Sequence, residues 1–82
     1  MRLDKYLKIS RIIKRRIVAA EAAEAGRIMV NGKVAKPSTA VEPGCILEIA
    51  FGTHTARYEV LACPESAGKA DAAAMYRELD PR

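Results

Sequence analysis

Gly26-Arg27-Ile28-Met29-Val30-Asn31-Gly32-Lys33-Val34-Ala35-Lys36 is the stretch that decides the fold. Asn31-Gly32 is the pair that best tolerates the positive φ of a two-residue type I′ turn. The short apolar-rich runs on either side, 27–30 and 33–36, suit two paired strands. Gly26, just ahead, supplies the left-handed residue at which a helix stops. The chain is therefore expected to change from helix to antiparallel sheet at this glycine.

Towards the N-terminus, Leu3, Tyr6 and Leu7 recur at helical spacing and define a short first helix, with Arg2 and Lys5 on neighbouring turns. Ile9, Ile12, Ile13, Ile17 and Ala20 continue the period into a second helix that ends at about Ala25. Ser10 is a possible cap, but position 13 is Ile rather than Glu or Gln, so no capping box supports it. The start is placed near Ile13 or Lys14.

Towards the C-terminus, Pro37-Ser38 breaks the second strand and Pro43-Gly44 turns the chain into 45–51, where Ile46, Glu48 and Ala50 alternate with Leu47, Ile49 and Phe51. Gly52-Thr53 leads into a further alternating run over 55–61. Beyond Pro64, residues 67–79 read as a terminal helix capped by Ser66 with Pro81 past its end, although its alanines offer little core surface. The architecture expected is α+β: two short N-terminal helices packed on a small antiparallel sheet, plus a C-terminal helix. Residues 1–63 would form the domain and 64–82 a helical tail.

Charge is distributed as unevenly as structure. Ten of the fourteen Lys and Arg residues lie in the first thirty-six positions against three acids, a balance of +7, while residues 37–82 carry −3. Cation concentrated on one part of a small domain is the footprint of a polyanion binder, because each phosphate neutralised releases condensed counterions. Arg2, Lys5, Arg11, Lys14, Arg15, Arg16, Arg27 and Lys33 are the candidate RNA contacts. A solvated charged face is the bland alternative, and density argues against it. Two readings of Asp4 stay open: it favours the dipole of the first helical turn, or it pairs with Arg2 or Arg16 and holds a guanidinium plane toward RNA. Tyr6 suits the core better than base stacking.

Several function classes are disfavoured. An 82-residue chain has little room for an enclosed active site, and no nucleophile set, paired carboxylates or Gly-rich phosphate loop can be assembled. No enzyme is expected, and no cofactor. Cys45 and Cys63 lack the close spacing of zinc or redox sites, and His54 has no ligand-spaced partner, so no metal is expected either. No apolar run approaches a membrane span or a signal sequence, which points to a cytoplasmic protein without membrane contact. Nothing predicts a dimer interface, so a monomer is expected.

Arg2-Leu3-Asp4-Lys5 opening one helix, Lys14-Arg15-Arg16 opening another, then Ala25 to Val34 and Val41-Glu42-Pro43-Gly44-Cys45-Ile46-Leu47, resemble in order and spacing the S-four RNA-binding domain, named after ribosomal small-subunit protein four. The likeness covers about residues 2–51. It departs at Ile13, where many members place Ser before an Arg. Within the family, the nearly free-standing domain with Ile9 to Arg16 and a tail like Ala73-Ala74-Met75-Tyr76 most resembles the RqcP branch, with ribosome-associated heat-shock proteins as cousins. The resemblance implies helices laid against RNA phosphates. For the RqcP branch it further implies rRNA and peptidyl-tRNA on the large ribosomal subunit, and an RqcH-like partner that adds C-terminal alanine tails. The heat-shock branch would bind obstructed large subunits without tailing. A helix-turn-helix DNA binder is the rival from another class, since helix, short turn and basic helix also fit it.

Overall fold

The computed structural model describes residues 1–80; Pro81, expected as a helix stop, and Arg82 lie outside them. Two helices come first, α1 (Leu3–Ile9) and α2 (Arg16–Glu24), followed by β1 (Ile28–Val30), β2 (Lys33–Val34), β3 (Ile46–Phe51) and β4 (His54–Val60). A short α3 (Lys69–Ala73) and β5 (Tyr76–Leu79) complete the chain. All strand pairs are antiparallel, in the order β2-β1-β3-β4-β5. The α+β class expected from the sequence is the one observed.

The deciding stretch folds as its chemistry dictates. Asn31 and Gly32 have φ of 52° and 84°, as a type I′ turn requires, and Met29 and Val30 pair with Val34 and Lys33. At the end of α2, Gly26 has φ of 75°, its N–H donates to the Ala23 carbonyl, and the Arg27 N–H reaches back to Ala22. That double bond pattern is the Schellman stop, which satisfies carbonyls a helix end leaves orphaned.

At its start α1 has no side-chain cap, and the N–H groups of Leu3 and Asp4 are taken instead by the carbonyls of Thr39 and Pro37. Val41 donates to the Met1 carbonyl and Arg2 bridges to Ala40, so the 37–41 loop holds the chain's first residues in place. The start of α2 falls at Arg16 rather than at 13 or 14. Ile13 is drawn into the core and its N–H is tied to the Leu7 carbonyl, so it belongs to the turn that closes α1.

The core lies between the helices and one sheet face. Leu3, Tyr6, Leu7, Ala19 and Ala23 pack with Ile28, Val30, Leu47, Ile49 and Val60. Met75 joins them, 1% exposed, and the buried Tyr6 hydroxyl donates to its carbonyl at 2.8 Å.

This corrects the expectation of a helix over 67–79. Helix covers only residues 69–73, after which Tyr76–Leu79 pairs with β4 from Val60↔Tyr76 to Arg57↔Leu79. The free edge of β4 offers unpaired backbone groups that a strand satisfies and a helix does not. Cross-strand pairs reinforce the choice: Tyr58 and Tyr76 meet edge to face at 5.4 Å, and Arg77 pairs with Glu59. Residues 64–80 thus close the sheet and supply a core side chain.

Candidate nucleic-acid interface

One buried carboxylate organises the basic face. Asp4 sits in the first turn of α1 with its side chain 6% exposed. Arg2 approaches it through Nε and Nη2, both at 3.2 Å, and Arg16 from α2 through Nε at 3.4 Å and Nη2 at 3.5 Å. The Lys5 N–H completes the shell at 2.8 Å. Both arginine side chains remain about half exposed. Each therefore turns one edge to Asp4 and keeps its Nη1 group without a partner among the described residues. Asp4 has the first-turn place that one reading gave it, and it also makes the ion pairs of the other, with both arginines at once.

The electrostatics are self-consistent. Burial pushes the Asp4 carboxyl up, but hydrogen bonds from Arg2, the Lys5 N–H and Arg16, with the Arg16 charge, outweigh it and hold the group below its ordinary value. Asp4 is thus a fixed anion that tethers two cations, leaving a surplus of one positive charge pointing outward.

Around this centre the other candidates divide. Lys14, Arg15 and Arg16 lie with Lys8 along an open cleft of about 490 Å³ that also exposes Ile17 and Val18. Arg11 lines an adjoining cleft with Lys8 and Lys14. Lys5 is engaged elsewhere, its Nζ 3.1 Å from Glu65, an exposed pair of the kind worth at most about 1 kcal/mol. Arg27 lies at the opposite end of α2, and Lys33 on the outer strand β2; neither joins the group. Lys8, absent from the candidates, belongs to both clefts. Its spacing was the available signal, four residues after Asp4 on the same helix face.

Tyr6 and the two cysteines are set apart from this basic face. Burial pushes the Tyr6 hydroxyl far up, consistent with its hydrogen bond in the core. Cys45 and Cys63 are free and half-buried. Among the described residues, no group of three His, Cys, Asp or Glu side chains could hold a metal ion, and no helix is long and apolar enough to cross a membrane.

A family model described as the S4 domain matches residues 1–46, the segment that carries the Asp4 cluster and the sheet's first hairpin. The chain belongs to the S4 domain family. Within it, the chain is 55% identical to the RQC P-site tRNA stabilizing factor of Streptococcus pneumoniae over 93% of its own length and 86% of that protein. It is 47% identical to the Bacillus subtilis protein of the same name, over 96% and 92%. These names correspond to the RqcP branch expected from the sequence. Heat shock protein 15 homologues are more distant, as in Aeromonas salmonicida at 33% identity over 95% of this chain and 59% of that one. Among S4 folds solved, the trimeric structure of Vibrio cholerae heat shock protein 15 superposes with a TM-score of 0.87 at 32% identity, covering 96% of this chain and 81% of the other. The solution structure of a hypothetical protein gives 0.82 at 26% identity, covering 98% of both.

Proposed function

We propose that this chain is a non-catalytic RNA-binding protein of ribosome-associated quality control. In this reading it binds rRNA and the P-site tRNA of a large ribosomal subunit whose nascent chain is obstructed. It keeps that tRNA in place while an RqcH-like partner adds alanine tails. The observation that carries the proposal is the Asp4-held pair of Arg2 and Arg16, lying inside the segment that matches the S4 domain. A guanidinium fixed along one edge meets a phosphate with its free edge at reduced entropic cost, which is where such a pair differs from two freely moving side chains. The name of the Streptococcus relative supports the choice of tRNA at the P site as the ligand. The protein acts in the cytoplasm as a single copy, with no membrane contact.

The second reading is the one that the resemblance to the heat-shock branch implies, in which the chain binds obstructed large subunits without any part in tailing; what supports keeping it is the likeness in fold to Vibrio heat shock protein 15. Deleting the gene and examining chains stalled on a non-stop message separates the two. Loss of alanine tails supports the first reading; tails of normal length and abundance leave only the second. Sedimentation adds the step common to both, preference for large subunits that retain peptidyl-tRNA over empty ones. Equal binding to the two particles would contradict both.

A further inference from the structure

We propose that the cleft between the α1–α2 turn and residues 66–67 is a separate seat for one RNA backbone phosphodiester, with Arg11 as its main ligand. The cleft, of about 370 Å³, is lined by Lys8, Ile9, Arg11, Lys14, Ser66 and Ala67. Three cations converge on it and no acid lines it. Among the described residues none of the three has an ion-pair partner, and none is bonded through its side chain to Asp4, although Lys8 and Lys14 also border the cleft that holds Arg16. Glu65, the acid next to this wall in sequence, is occupied by Lys5 at 3.1 Å.

The backbone supplies an independent reason. Arg11 has φ of 64°, in the left-handed region that side-chain-bearing residues avoid. It follows the C-cap Ser10, its N–H donates to the Lys8 carbonyl, and the Ile13 N–H donates to Leu7. This is the position after a helix end that glycine ordinarily takes. At the end of α2 the same position is Gly26. The chain thus places glycine at one helix stop and keeps an arginine at the other, against the local preference of the backbone. A guanidinium beside two ammonium groups suits a phosphodiester, whose two free oxygens accept a forked pair of hydrogen bonds while its single charge is shared by the flanking lysines.

The inference rests on the RNA-binding reading, and Arg11→Gly tests it apart from that reading. The probe is purified, fluorescently labelled tRNA, titrated with the whole chain at several salt concentrations, alongside thermal melts. Arg11→Gly is expected to melt at or above the wild-type temperature, because the strain is relieved, while binding falls about tenfold and the log–log salt slope loses about 0.9. Arg11→Lys should restore the slope and only part of the affinity. Wild-type affinity and slope in Arg11→Gly would overturn the phosphate seat and leave the RNA-binding reading standing. A wild-type chain that shows no salt-dependent binding would remove that reading itself. A melt well below wild type for Arg11→Gly would contradict the strain argument. Inorganic phosphate, followed by the amide resonances of residues 8–14, is expected to bind only weakly. Saturation at submillimolar phosphate would make this a free-phosphate site and overturn the assignment to RNA.

Discussion

The helical face and the sheet treat the same side chains in opposite ways. In the sheet, Arg57 of β4 lies 3.5 Å from the buried Glu48 and Arg77 of β5 pairs with Glu59, so each arginine is matched by its own acid. On the helices a single carboxylate, Asp4, serves both Arg2 and Arg16, and only Lys5 has an acid of its own, the exposed Glu65, while Lys8, Arg11, Lys14 and Arg15 have no ion-pair partner among the described residues. Matched pairs hold strands together and present little net field. Unmatched cations repel one another and gain when a polyanion arrives. Pairing, more than the count of bases, separates the part that holds the fold from the part available to RNA.

The strongest way to break this division is to remove the part that holds the fold. Truncation after Pro64 deletes β5, the buried Met75 and the acceptor of the Tyr6 hydroxyl, and is expected to abolish cooperative unfolding by circular dichroism. The milder Met75→Ala should cost about 2–5 kcal/mol in denaturant melts with the salt slope of RNA binding unchanged. A folded, stable truncation would show that the sheet does not depend on its fifth strand.

Arg16→Ala tests the other half. Asp4 retains Arg2 and the Lys5 N–H, so the fold should survive, while RNA affinity falls about ten- to hundredfold. Acid sharpens the same point. Because the Asp4 carboxyl is held below its ordinary value of 3.8, its contribution to stability is present above that pH and is lost as pH falls through the lowered folded value. Wild type should therefore lose stability below about pH 4 to a degree that Asp4→Asn does not, by thermal melts across an acid series. The smallest effect belongs to the matched pairs: Arg77→Ala should cost less than about 1 kcal/mol and leave RNA affinity at the wild-type value. Equal losses of affinity at Arg16 and Arg77 would erase the distinction.

What was legible in the sequence was what a few adjacent residues encode. Asn31-Gly32 and Gly26 dictate their turns through backbone sterics alone, and both stand as read. The start of α2 was not legible, because no capping residue marks it and its place follows from the packing of Ile13. The fifth strand was hidden for a related reason: Tyr76 to Leu79 is only four residues, follows an alanine-rich stretch, and becomes a strand through an edge supplied by distant β4. In the candidate site, the density of cations was readable but not their grouping. Arg16 reaches Asp4 across twelve positions through a turn whose left-handed residue is an arginine, and Lys5 is taken by Glu65 sixty residues away.

The salt dependence of RNA affinity tests the central claim most directly. If the unmatched cations of the helical face engage about five or six phosphates, log affinity against log salt should fall with a slope of roughly −4 to −5. A slope shallower than about −2 would contradict the account, because so few released counterions could not come from a face whose cations meet phosphate together.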